Sequence, residues 1–391
     1  MGKPYGIFRS NVLAWLSLLL LMPLNLFAYP GIYEDRIVFG QSAAFTGPNQ
    51  ILGLNYRLGI LAAFEEKNRE GGIGGRALEL FSLDDAYESD LASRNAEKFT
   101  EENNVFAVIG GVGTPTAKRL VPVLREAKIP FIGPLTGANF LNDEEYSTNV
   151  VNIRASYHDE LRVLVDHFIH DLGFSRFGII YQEDAFGQSV YSDLKLVLDR
   201  FNLPILARAT FSRNSHAVHG GLFTFSKADL DAIFVIGTYT TNSEIINLSN
   251  SLGHDFVIAN LSFVISDELK ARLNKASESI FVTEVVPDPF DEAYPITARY
   301  RQALNNPDLE ENFTNQGQDF EISANEVSLE GYILGRFVIE TLERMEGNFT
   351  RENFMEVALT PGTVDLDGWI LDFQEGSNSG NDYIRLTNFE D

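Results

Sequence analysis

The chain has 391 residues, with 30 Lys+Arg, 55 Asp+Glu, six His, no cysteine and a formal net charge of −25. A hydrophobic fraction of 45% with 22% charged residues excludes wholesale disorder; the length suffices for two hydrophobic cores, and the acidity disfavours nucleic acid, whose phosphates need basic surface. The missing cysteine excludes disulfides, thiolate metal sites, cysteine nucleophiles and lipid attachment through sulfur.

Residues 1–28 read as a secretory signal. Lys3 and Arg9 precede a Leu-rich apolar run over 12–22, and residues 23–28 supply a breaker and a small residue, with cleavage expected after about Ala28. The run falls short of the ~20 residues of a spanning helix. The expected location is the periplasm, without a lipid anchor.

Beyond the signal, short apolar runs alternate with helical spacing. A strand over 37–39 leads to a helix over 54–64, which Gly71-Gly72-Ile73-Gly74-Gly75 ends. Next come a strand at 78–83, a helix from Ser89 to about 99, a strand at 105–109, a helix at 116–127, and strands at 130–132 and 150–153. The alternation restarts with a helix over 158–172, a strand at 177–181, a helix at 190–198 and a strand at 205–210. Strands at 232–236 and 256–258 flank a helix over 243–252, and a strand at 280–285 follows. The polar, acidic stretch 305–325 reads as a surface loop or a partly disordered segment, between helices over 294–304 and 328–345. A helix at 352–359 and an antiparallel pair, 369–373 with 383–386, complete the chain. Strand, helix, strand at this spacing means βαβ units. Two successive runs predict an α/β protein with two doubly wound, Rossmann-like sheets.

Catalytic signatures are missing. Gly113-Thr114-Pro115-Thr116-Ala117-Lys118 lacks the phosphate-loop spacing, Gly111-Val112-Gly113 lacks the third dinucleotide-binding glycine, and no Gly-x-Ser-x-Gly occurs. His167/His170 and His216/His219 are spaced to share a helix face, where solvated or capping roles outweigh metal ligation. Asp84 or Asp85 with Asp184 could form the carboxylate pair of a hydrolase, although strand-end carboxylates more often cap turns. No catalytic group, metal or cofactor is expected.

In an open α/β sheet, ligands bind beyond the C-terminal strand ends. Here those ends carry small and hydroxyl residues: 41–47 with Ser42 and Phe45, 110–116 with Thr114 and Pro115, and 133–138 with Leu135, Thr136 and Gly137. The second half offers Asp184 and Phe186, then Tyr239 and Thr241, then Phe263. Glycines let backbone approach a ligand, hydroxyls and free N–H groups suit an oxyanion, and rings suit an apolar body. Ordinary β→α turns use the same residues.

The ordered set resembles the type I periplasmic substrate-binding proteins of ABC transporters, the group of the leucine/isoleucine/valine-binding proteins. Gly40-Gln41-Ser42-Ala43-Ala44-Phe45-Thr46-Gly47, Glu70-Gly71-Gly72-Ile73-Gly74-Gly75-Arg76, Asp84-Asp85-Ala86 and Val108-Ile109-Gly110 carry it. So do 129–138, 181–187 and Ser328-Leu329-Glu330-Gly331-Tyr332. The resemblance implies two lobes joined by three crossovers, 36–154 plus 289–363 and 155–288 plus 364–391, with the ligand cleft between them. It implies a monomer that captures an amino acid, carboxylate, amide or other small molecule, closes about a hinge, and delivers it to an inner-membrane ABC permease. A ligand-sensing module for a membrane signalling partner is the alternative. Carried across, Thr114 matches a hydroxyl that binds the ligand carboxylate, and Leu135 would present its carbonyl. Gly137 stands where amino-acid binders keep a threonine, and Phe186 replaces a tyrosine. Thr241 aligns with the acid that pairs with the ligand ammonium, while Glu244 falls one turn into the helix. The α-amino-acid clamps are thus incomplete, leaving room for a carboxylate without an amine or a larger apolar molecule.

Overall fold

A computed structural model describes residues 1–2, 29–101, 105–215, 217–275, 279–309 and 320–389. The expected export signal, His216 and the centre of the 305–325 stretch lie outside the described residues. In the first sheet, strands β1 (Arg36–Ala43), β2 (Ala77–Asp84), β3 (Val108–Ile109), β4 (Phe131–Ile132) and β5 (Val150–Val151) run parallel in the order β2-β1-β3-β4-β5. Helices α1 (Gln50–Arg69), α2 (Ser89–Glu101) and α3 (Thr114–Glu126) connect the first four of them.

The second sheet repeats the plan. Strands β6 (Phe177–Gln182), β7 (Ile205–Phe211), β8 (Ala232–Ile236), β9 (Val257–Asn260) and β10 (Ile280–Glu284) are parallel, in the order β10-β9-β8-β6-β7. Helices α4 (Tyr157–His170), α5 (Ala185–Asp199), α6 (His219–Phe225), α7 (Tyr239–Ser251) and α8 (Ser266–Ala271) precede and connect them. Every residue of β6 and β8 is buried, as a parallel sheet covered on both faces requires. The chain then returns to the first lobe as α9 (Pro295–Leu304), α10 (Glu326–Arg344) and α11 (Arg351–Ala358).

In each sheet the first strand lies inside, and the chain winds outward from it both ways. The winding reverses between β1 and β3 and between β6 and β8. Crevices for ligands open at such switch points.

The C-terminal segment corrects the sequence reading. Residues 369–373 form β12 (Trp369–Phe373), which pairs with β11 (Gly362–Leu366) and not with 383–386. Instead β13 (Arg385–Asn388) adds antiparallel to β10. The β11–β12 hairpin lies on the first lobe: Ile296 N–H donates to Asp367 O, and Phe373 stacks on Phe337 at 5.7 Å. Asn378 Nδ2 donates to the carbonyls of Leu141 and Val150. Segment 364–391 is therefore divided between the lobes.

Candidate ligand-binding cleft

The loops after β1 and β2 are fastened by two aspartates. Asp84 accepts from Phe45 N–H at 2.7 Å and from the Thr46 hydroxyl at 2.5 Å. Asp85 accepts from Ser42 Oγ at 2.7 Å and from Tyr87 N–H at 2.9 Å. Asn95 Nδ2 donates to Ser42 Oγ at 3.0 Å, so Ser42 is spent inside the first lobe. Burial pushes the Asp85 carboxyl up to about 7 against those two hydrogen bonds. Both aspartates thus bond to groups of their own loops. Asp184 caps α5 through Phe186 N–H at 3.0 Å and accepts from Gln182 Nε2 at 2.6 Å.

After Asp85 the backbone turns left-handed at Ala86 and Tyr87, φ 49° and 60°, and throws the Tyr87 ring across the cleft. That ring lies over Gly113, where a Cβ would fall 2.2 Å from it. Gly113, itself at φ 94°, precedes α3 without a side-chain cap. Thr114 opens the helix, and its Oγ1 lies 2.7 Å from Thr136 Oγ1, both side chains buried. Pro115 occupies the helix's first turn, where its missing N–H is harmless. The Leu135 carbonyl accepts from Gly113 N–H at 3.1 Å, so its aligned ligand contact already serves the backbone.

Tyr157, the first residue of α4, donates its N–H to Gly137 O at 2.8 Å. A Cβ on Gly137 would lie 2.7 Å from that nitrogen and 3.0 Å from the Tyr157 ring, so a threonine does not fit. The Tyr157 hydroxyl sits beside Thr136, fully buried, without a well-formed hydrogen bond, and burial raises it to about 12. Its ring lies 5.2 Å from Phe186, Phe186 lies 4.9 Å from Phe263, and Phe263 lies 6.0 Å from Tyr87. Four rings thus form one seam between the lobes.

Polar contacts frame the seam. Arg213 bonds to Glu88 at 2.7 Å and to Asp184 at 3.3 Å, while Asn214 Nδ2 donates to Glu88 at 2.7 Å. Asn49 Nδ2 donates to Asn214 Oδ1 at 2.7 Å, and the Tyr239 hydroxyl donates to Pro48 O at 2.8 Å. Thr241 Oγ1 donates to Ser215 O at 3.3 Å. Tyr239 and Thr241 therefore belong to this frame of contacts, whereas Thr114, Thr136, Phe186 and Phe263 meet around Tyr87 and Tyr157. On the other flank, buried Arg154 bonds to Ser262 and lies 3.9 Å from Glu160 and 3.7 Å from Glu330. Sequence reasoning missed Tyr87, Tyr157, Arg213 and Arg154. His167 pairs with Asp171 at 2.7 Å, and no group of three or more metal-ligating side chains occurs among the described residues.

Comparison with known proteins agrees with this architecture. The model of the family described as "Periplasmic binding protein" matches residues 36–372. A curated amino acid binding protein of Pseudomonas aeruginosa is 25% identical over 198 residues, 50% of this chain and 51% of the relative. The Leu/Ile/Val-binding protein BraC3 of Rhizobium johnstonii is 26% identical over 172 residues, 44% and 46% of the two chains. The chain thus spans about half the length of these two curated relatives. A solved structure from Rhodopirellula baltica, described as a possible leucine/isoleucine/valine-binding protein, is 28% identical. It superposes with a TM-score of 0.82 over 92% of this chain and 95% of that one. With the family model reaching across both sheets and the seam between them, the chain belongs to the periplasmic binding protein family.

Proposed function

We propose that this chain is the solute-binding subunit of an ABC importer, capturing one small molecule between its lobes and presenting it, as a monomer, to an inner-membrane permease. The observation that carries this reading is the aromatic seam between the C-terminal strand ends of the two sheets, since loops from both contribute to it. The family is a substrate-binding class, which argues for capture without catalysis. Amino acid and Leu/Ile/Val binding in the names of the curated relatives supports a small organic ligand. No helix of the described residues is long and apolar enough to cross a membrane, and export through residues 1–28 would deliver the chain to the periplasm.

The proposed contacts are Phe45, Thr114, Pro115, Leu135, Thr136, Gly137, Phe186 and Phe263, joined by Tyr87 and Tyr157. Ser42 and Asp184 shape the loops, Tyr239 reaches Pro48 across the cleft, and Thr241 bonds to Ser215 within its own lobe. The three crossings between lobes are proposed near 154, near 286 and near 382, where Asn381 Nδ2 donates to the carbonyls of Ile153 and Val285.

A thermal-shift screen over amino acids, carboxylates and amides, with small-angle scattering on each hit, tests the reading. A bound ligand is expected to raise the melting temperature and shrink the radius of gyration. A panel that changes neither quantity overturns it.

A further inference from the structure

We infer that the cleft takes an organic carboxylate with an aromatic or branched apolar body and no α-ammonium group. The inference rests on the capture reading above and names the ligand class of that same site. Two kinds of observation carry it, one about the donors the cleft offers and one about the acceptors it lacks.

The donors converge on one spot. The N-terminus of α3 has no side-chain cap at Gly113, and with Pro115 lacking an N–H its donors toward an anion are the N–H groups of Thr114 and Thr116. Thr114 and Thr136 share a single hydrogen bond at 2.7 Å, which leaves a hydroxyl proton to give outward. Beside Thr136 stands the Tyr157 hydroxyl, fully buried and without a well-formed partner. A buried hydroxyl left so costs stability until something accepts from it, and a ligand carboxylate would. The glycines flanking the two threonines are required here. A Cβ at Gly113 would strike the Tyr87 ring, and one at Gly137 would strike Tyr157. Both glycines therefore make room for a tyrosine, which builds the anion site and the ring seam together.

The carboxylates about the seam already face donors, Glu330 through Arg154 at 3.7 Å. Asp184 serves Phe186 N–H, Gln182 and Arg213. Glu88 holds Arg213 and Asn214. Glu160 accepts from Ser262 N–H at 2.8 Å, Ser262 Oγ at 2.9 Å and Thr283 Oγ1 at 2.5 Å. Glu244 is not free, and Thr241 donates to Ser215 O. An α-ammonium closed into this seam would be buried unpaired, which disfavours it roughly 10–100-fold against the same acid without the amine.

Titration calorimetry on the mature chain, stripped of co-purified ligand by unfolding and refolding, tests this with pairs differing only in the amine. The pairs are 3-phenylpropionate against phenylalanine and 4-methylpentanoate against leucine, with 3-phenylpropanamide as the uncharged control. At least one des-amino acid is expected to bind tenfold or more tightly than its amino acid, and 3-phenylpropanamide more weakly than 3-phenylpropionate. Amino acids that bind as tightly as their des-amino partners overturn the ligand class and leave capture standing. An amide that matches its acid overturns the anion site. If nothing in either series binds or shifts the melting temperature while the wider panel yields a ligand, the class falls and capture stands; a silent wider panel takes capture with it. Tyr157→Phe is expected to weaken the acid about tenfold and leave the amide unchanged, an unchanged acid affinity refuting the hydroxyl's role; Thr114→Val gives the same readout should Tyr157→Phe not fold.

Discussion

At Asp85 burial and hydrogen bonding pull in opposite directions, and burial prevails. Its carboxyl rises from the ordinary 3.8 to about 7, because desolvation outweighs the bonds from Ser42 and Tyr87 N–H. Glu330 rises from 4.5 to about 7 for the same reason, with Arg154 opposing at 3.7 Å. In both cases the folded chain holds a proton that the unfolded chain releases near pH 4. Their contribution is therefore fully present below pH 4 and is lost as the pH climbs through 7. Burial also raises Asp184, Asp193, Glu160, Glu284 and Glu326, which adds to the same slope, while the lowered Asp231 and Glu352 oppose it. The urea midpoint is expected to fall between pH 5 and pH 8. Asp85→Asn keeps an acceptor for Tyr87 N–H and has no proton to lose, so it should flatten part of that fall and gain on the parent at pH 8. An unaltered slope in the variant would place the effect elsewhere.

Helix α10 meets α1 at glycines. A Cβ on Gly331 would lie 2.2 Å from Tyr56 O, and one on Gly59 would lie 1.9 Å from Ser328 O. The Gly331-Tyr332 pair read as a family motif is thus a packing requirement: glycine brings the helices together, and the Tyr332 hydroxyl donates to Glu66 at 2.6 Å. Gly331→Ala forces the helices apart and is expected to cost roughly 1–3 kcal/mol in urea unfolding. Gly220→Ala in α6, where nothing lies within 4 Å, should be neutral or stabilising by roughly 0.4–1 kcal/mol; equal losses at the two sites would refute the packing account. The same contrast explains what was legible in the sequence. The apolar β6 and β8 announce themselves because a doubly covered strand must be apolar throughout. The half-exposed β11 escaped notice, as did the partner of β13, since nothing local in 385–388 encodes a pairing with 281–284. At the seam between the lobes, the strand-end rule picked out Thr114 and Thr136, which bond to each other, and Phe186 and Phe263, whose rings meet. It missed Tyr87, which a left-handed turn aims, and Tyr157, which reaches the site only because Gly137 lacks a side chain.

Across the whole molecule, closure and recognition are separable. The Arg213–Glu88 pair and the Asn214–Glu88 and Asn49–Asn214 bonds join the lobes without needing a ligand. Such contacts raise the fraction of molecules already closed, and apparent affinity scales with that fraction for every ligand alike. Glu88 is 44% exposed and Arg213 20%, so the pair ranks with partly screened surface ion pairs, worth about 0.2–1 kcal/mol. Glu88→Gln keeps hydrogen-bonding atoms and removes only the charge. It is therefore expected to weaken 3-phenylpropionate and phenylalanine by the same factor, roughly 1.4–5-fold. The ratio between the two ligands should stay fixed, and the parent's advantage should shrink as added salt shortens the screening length below ~8 Å. Tyr157→Phe belongs to the other category, since it touches the carboxylate and should move the ratio of 3-phenylpropionate to 3-phenylpropanamide. Calorimetry on both variants at two salt concentrations separates the roles. A changed ratio in Glu88→Gln would mean that Glu88 meets the ligand itself, leaving the Asn49–Asn214 and Tyr239–Pro48 bonds as the contacts that join the lobes independently of their cargo.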